Sequence, residues 1–213
     1  HTAYRRQRQM CIRDRLEAGQ TLHIGAHAFD VLVLGGHSIA QICLYESRLK
    51  LLLTGDQLLE RITPNIGVWP YGETDPLPRY LESLRTIAGL DIELVLPAHH
   101  DVYHAGVKRA HGLVAHHQKA LRKFMARLGA GGMNATELGY AVYGAQSDPL
   151  HAYLAMGETL AHLLWLERSG YARRDETPAV TRWYPVTAAD GEPTLTLSLS
   201  LIHISEPTRP LYI

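Results

Sequence analysis

The chain holds only two cysteines, Cys11 and Cys43, in 213 residues. Two unevenly placed thiols exclude a disulfide framework of the kind that staples small secreted domains, and the count favours a reducing compartment, the cytoplasm. No apolar run reaches the roughly 18 residues that a membrane-spanning helix needs, so no membrane partner is expected. Neither sign of charge prevails, with Lys+Arg and Asp+Glu both at 21, so the total charge announces neither a nucleic acid nor a membrane surface. The basic start is not followed by the apolar stretch of a secretory signal. What the chain has in excess is histidine, thirteen of them. Histidine is the commonest metal ligand and the acid–base group of neutral pH, so function is sought in where these side chains fall.

Both ends differ in character from the rest. AYRRQRQMCIRDR packs five arginines into residues 5–15 without helical or strand periodicity, and SLSLIHISEPTRPLYI runs from a two-letter repeat into prolines. MCIRD and LIHISEPTRP resemble peptides made when sequencing-adapter DNA is translated. Residues 1–15 and 199–213 are therefore expected to be artefactual and are set aside.

Residues 16 to about 100 alternate strand-like runs, TLHIG, AFDVLVL, IAQICLY, LKLLLTG and IELVLP, with one helical pattern, DPLPRYLESLRTIAGLD. Leu77, Leu81, Leu84 and Ala88 share one face of that helix, and its early prolines suit a first turn. The strand runs are apolar without strict alternation, which predicts burial on both faces in a layered α/β domain. From Ala105 the period becomes helical: Val107, Val114, Leu121 and Leu128 recur at sevens. NATELGYAVYG opens with Asn134 and Glu137 in capping positions, and DPLHAYLAMGETLAHLLWLERSG opens on Asp148-Pro149 and stops at Gly170. YARRDETPAVTRWYPV then reads as two short strands. Three helices and a hairpin are the order of a winged-helix domain.

The sharpest question is His37, on a glycine turn in GGHSIAQICLY between two apolar runs. Alone it is a turn residue or a satisfied core histidine. Two more strand ends carry groups of the same chemistry: Asp56 follows LKLLLTG and His99 follows IELVLPA. Strands fix side chains while the loops beyond them leave room for a ligand, so three such ends in succession point to convergence. Taken singly, Asp56 also reads as a helix N-cap and His99 as a surface loop residue.

LGGHSIAQICLYE, LLLTGDQLLERITPNIG, DPLPRYLESLRTIAGLDIELVLPAHH and GETLAHLLWLERSGY together resemble the second half of metallo-β-lactamase-fold hydrolases, in the hydroxyacylglutathione-hydrolase-like group that ends in a winged-helix domain. The resemblance covers about residues 16–185. It implies the C-terminal half of an αββα sandwich over residues 16–107, followed by a linking helix and winged-helix domain over 108–185. It also implies that His37, Asp56 and His99 are metal ligands, Asp56 bridging two zinc ions with His37 completing one site and His99 the other. The family's PGHSPGH is here GGHSIAQ, with Gly35 in place of proline and Gln41 in place of a second histidine. Its HxHxDH stretch is not found in this sequence. His23 and His27 lie in strand-like sequence and read as surface residues, so the chain is expected to be truncated upstream of TLHIGAHAFD, with two protein ligands left per site. One sheet face should then remain apolar and uncovered, or be covered non-natively.

The function implied is zinc-dependent hydrolysis of an ester or thioester in a small molecule, by a metal-activated hydroxide, incomplete in this chain. The alternatives are a metal-dependent ribonuclease or phosphodiesterase, with Arg173, Arg174 and Arg182 of the hairpin on nucleic acid, or an inactive fragment. Asn65, in RITPNIG, and His117, on the long helix, are candidate substrate contacts, each with a bland reading beside it: a turn for Asn65 and a core position for His117, His116 then facing solvent. Tyr45 and Trp165 read as core. Lys119, Arg122, Lys123 and Arg127 read as a solvated helix face.

Overall fold

In the computed structural model, which describes residues 16–176 and 180–186, each apolar run of the first half becomes a strand. These are β1 (Thr21–Ile24), β2 (His27–Leu34), β3 (Gln41–Glu46), β4 (Leu51–Gly55) and β5 (Leu94–Pro97). They form one sheet in the order of the sequence. The first three pairings are antiparallel and β4 pairs β5 in parallel. A parallel neighbour requires a crossover, and that crossover carries α1 (Pro76–Ala88), which starts behind Asp75 with Pro76 in its first turn, where a missing N–H costs nothing. The adapter-like ends lie outside the described residues.

Strand register decides which face is covered. Leu32↔Cys43, Tyr45↔Leu52 and Leu52↔Val95 place one set of side chains on a common face. Cys43, Tyr45, Leu52 and Val95 are buried there, in one core with Leu77, Tyr80 and Leu84 of α1. The opposite face carries Val33, Ile42, Leu44, Leu53 and Leu96, all half-buried, together with Val31, which is buried. The runs lack alternation because both faces are apolar, yet helices cover one of them. Burial on the second face is thus complete at Val31 and partial at its neighbours, so among the described residues that apolar face is half-covered.

The second half is helical: α2 (Gly106–Arg127), α3 (Ala135–Tyr143) and α4 (Pro149–Arg168), then the hairpin β6 (Ala172–Glu176) and β7 (Thr181–Pro185). Asn134 and Glu137 form the reciprocal capping box their spacing predicts. The Asp148 side chain accepts from Leu150 N–H at the start of α4. Phe124, Leu138, Leu163, Trp165 and Trp183 extend the same core that lines the sheet.

Two charge expectations change. Lys123 is not simply solvated: its Nζ donates to the Val142 carbonyl at 2.5 Å, and Arg127 donates to the Ala141 carbonyl at 2.9 Å. Both satisfy orphan carbonyls in the last turn of α3, where cations also suit the helix dipole. The hairpin arginines are engaged within the chain. Arg174 pairs with Glu167, Arg182 with Glu137, and Arg173 lies over the Tyr184 ring. Among the described residues no helix is long and apolar enough to cross a membrane.

Candidate functional site

The turn that carries His37 is built by glycine. Gly36 has φ of 109°, and a Cβ there would fall 2.4 Å from Tyr80 Cβ on α1, so the backbone needs both the conformation and the bare approach. Gly35 is clamped by Ser83, whose Oγ accepts from its N–H and donates to its carbonyl, both at 3.0 Å. Gln57 Nε2 donates to that same carbonyl at 2.8 Å, and the Tyr80 hydroxyl donates to the Gln57 carbonyl. One buried network on α1 thus fixes the turn before His37 and the residue after Asp56.

Asp56 is delivered by Gly55, whose φ of 55° ends β4, and Ala98 N–H donates to the Gly55 carbonyl, tying the end of β5 alongside. His99 follows directly. Its Nδ1 stands 2.5 Å from Asp56 Oδ1, while Asp56 Oδ2 faces His37 Nε2 at 3.9 Å. His37 Nδ1 lies 3.1 Å from the Asn65 carbonyl oxygen. A carbonyl can only accept, so in the neutral ring the proton sits on Nδ1 and the Nε2 lone pair points to the carboxylate. The structure brings His37, Asp56 and His99 together, with His99 the most exposed at 67%. Asp56 caps no helix.

These residues line a cleft of about 570 Å³ whose far wall is α4. Asn65 also lies in the cleft wall, in an irregular segment rather than a turn, and its Nδ2 makes long contacts of 3.4 Å to the Leu154 carbonyl and Glu158 Oε2. Val68 N–H donates to the Gly157 carbonyl, and Trp69 packs on Gly157 and stacks on Tyr153. The loop after Asp56 is thereby seated on α4. Burial pushes the Glu158 carboxyl up to about 7, against the Tyr143 hydroxyl that bonds it and pulls the other way. Glu158, Tyr143 and His151 were not singled out in the sequence. The available signal was an acidic residue within the otherwise apolar stretch AYLAMGETLAHLL.

His117 stands elsewhere. It is fully buried on α2, edge-on to the Tyr80 ring and 3.4 Å from His162 Nε2, and it does not line the cleft. Its Nδ1 faces His162 and its Nε2 is buried away from the cleft, without a hydrogen-bond partner among the described residues, which agrees with its reading as a core position and not with that of a substrate contact. Burial holds both His117 and His162 below the ordinary histidine range, His162 at about 4. His23 and His27 are exposed on β1 and β2, as expected.

In kind, an imidazole lone pair facing a carboxylate oxygen suits a cation between them. In number the set is short: among the described residues no three His, Cys, Asp or Glu side chains are grouped to hold a metal ion, and a zinc site takes three or four protein ligands. As a complete zinc centre the residues present do not fit.

The family model of the metallo-beta-lactamase superfamily matches residues 12–99, the segment that carries all three of these side chains. That segment is similar to metallo-β-lactamase superfamily sequence. Two solved structures support the same placement of fold. A metallo-beta-lactamase family protein from Thermus thermophilus is 32% identical with a TM-score of 0.72, over 80% of this chain and 54% of that one. A beta-lactamase domain protein from Burkholderia ambifaria is 30% identical with a TM-score of 0.76, over 81% of this chain and 52% of that one. The chain spans about half the length of either. Both similarities extend past residue 99, so the helical half matches along with the segment that the family model matches. No curated protein sequence matches the chain.

Proposed function

We propose that this chain carries part of the active site of a zinc-dependent hydrolase acting on ester or thioester bonds. The observation that carries the reading is Asp56, whose two carboxylate oxygens face His99 and His37 from between strand ends. In this reading His37, Asp56 and His99 are metal ligands, and the superfamily match over residues 12–99 supports metal-dependent hydrolysis as the reaction class. A zinc ion with its ligand set completed would supply a water acidic enough to ionise near neutral pH, and His37, Asp56 and His99 are the residues of this chain that would help to hold it. The chain's own residues orient that chemistry: the Asn65 carbonyl holds the His37 ring, and the Ser83–Gly35–Gln57 network holds the turns. With no HxHxDH stretch in the sequence, the protein ligands supplied here fall short of a closed set, so this chain is expected to bind zinc weakly and turn over little.

The helices and hairpin of the second half serve, in this reading, as a winged-helix domain that forms the far wall of the cleft rather than a nucleic-acid reader. Their arginines are already paired with Glu167, Glu137 and Tyr184. The test is a hydrolysis panel of esters, thioesters and a labelled RNA, run on this chain and on a version fused to upstream sequence bearing HxHxDH. Ester or thioester turnover gained by the fusion and lost in its His37→Ala form supports the reading. RNA cleavage instead, or no metal dependence, overturns it.

A further inference from the structure

A second concavity shares a wall with the cleft, where α2, α3 and α4 meet. One face of α2 brings His116, Lys119 and Lys123 to it, spaced i, i+3 and i+7, around a space of about 230 Å³. Phe124 and Val142, both buried, give it an apolar lining. Lys119 is exposed and makes no hydrogen bond or ion pair among the described residues. Lys123 gives one of its three N–H groups to the Val142 carbonyl and keeps the others. Burial, and then the charges of Arg109 and Lys119, hold the His116 ring below the ordinary histidine range. The remaining wall is Tyr143 and Glu158, and both of these also line the cleft.

The side chains lining this space sum to a positive charge. Lys119 and Lys123 are cations, His116 is neutral at pH 7, burial keeps the Tyr143 hydroxyl protonated, and Glu158 ionises near 7. Two cations against one carboxyl leave the balance positive on either side of that titration. An anion therefore meets ammonium groups with N–H to spare, and the apolar lining favours one that brings carbon with it. A phosphate covers none of that lining and sets a second charge against Glu158, while a neutral compound leaves Lys119 unanswered. We propose that the space between α2, α3 and α4 binds a small carboxylate with an apolar body, at a site separate from the cleft and linked to it through the shared side chain of Glu158. The site is independent of the hydrolase reading. Ionised Glu158 repels the carboxylate, so binding weakens as pH rises through about 7, and a bound carboxylate in turn holds Glu158 protonated where it faces the cleft. His117 on α2 and His162 on α4, the buried rings beside His116, are held below the histidine range and are already neutral there.

Backbone amide NMR of this chain, titrated with benzoate, tests it, with benzamide as the uncharged isostere and inorganic phosphate as an anion without an apolar body. Benzoate should perturb Ala120, Phe124 and Val142, which do not line the cleft, ahead of Ile62 and Leu154, which do. Its Kd should lie about tenfold below that of benzamide or phosphate. Lys119→Gln, at an exposed position with no bond to lose, should raise that Kd about fivefold. Between about pH 6 and about pH 8 the Kd should rise about threefold in the parent chain and stay level in Glu158→Gln. On the cleft side Glu158 shares its space with His37, Asp56, His99 and His151, whose own titration persists in that variant and is thereby told apart. No perturbation by benzoate, perturbation confined to the cleft, or benzamide or phosphate binding as tightly overturns the proposal. So does a Kd unmoved by Lys119→Gln, or a pH dependence that is absent from the parent chain or survives Glu158→Gln.

Discussion

The carbonyl oxygen of Asn65 lies 3.1 Å from Nδ1 of His37, and that contact sets which nitrogen of the ring is free to face Asp56. The partner is backbone, so the preference is imposed by the seating of the loop on α4 through Val68, Trp69 and Gly157 rather than by a side chain that one substitution removes. Nitrogen NMR should therefore find the neutral His37 ring protonated at Nδ1. A ring protonated at Nε2 contradicts the account of how this residue is oriented.

Gly36→Ala should be among the most damaging single changes in the chain. The added methyl would meet Tyr80 Cβ and backbone at 2.4–2.7 Å, and φ of 109° is a region that alanine avoids. Strain of this kind together with overpacking costs on the order of 3 kcal/mol or more. Denaturant unfolding of the variant checks it; a loss below about 1 kcal/mol would show that the turn relaxes freely.

Stability should rise with pH and then level off because two kinds of buried group pull in opposite directions. His117 and His162 have folded-state pKa values below their unfolded ones, so the unfolded chain binds more protons; their contribution is complete above about 6.5 and is lost as pH falls below it, for His162 toward about 4. Glu158 is the reverse: raised to about 7, it stabilises the fold at low pH and loses that contribution as pH rises from about 4.5 through 7. Two histidines outweigh one carboxyl through the histidine range, and the opposing slopes cancel near pH ~7. The unfolding free energy should rise with pH and level off near pH ~7, and Glu158→Gln should steepen the rise between about 4.5 and 7. A profile that falls steadily from about pH 5 to 7 would be inconsistent with buried neutral histidines.

Much of this was legible in the residues. Strand-length apolar runs, Asp75-Pro76, Asn134 with Glu137 and Asp148-Pro149 each carry a local signal, and each element formed where its signal stood. His37, Asp56 and His99 were legible as strand ends, since a strand end is a property of sequence and their meeting is a property of the sheet order. Glu158 and Tyr143 were not, because they reach the cleft only through the packing of α4 and α3, a long-range event with no periodicity of its own. The roles of Lys123 and Arg127 were hidden for the same reason: the carbonyls they bind belong to a different helix. The half-covered second face of the sheet follows from apolar residues on both sides of strands that only one layer of helices covers.

The central claim is that His37, Asp56 and His99 form one incomplete metal-binding group, and zinc competition against a chromophoric chelator tests it most directly. The account predicts a single weak site on this chain that Asp56→Asn abolishes and that His37→Ala or His99→Ala each weakens at least tenfold. His104→Ala, whose ring bonds the Glu93 carbonyl away from the cleft, should leave it unchanged. Tight stoichiometric zinc binding that survives all three site substitutions would contradict the account and place the metal elsewhere in the chain.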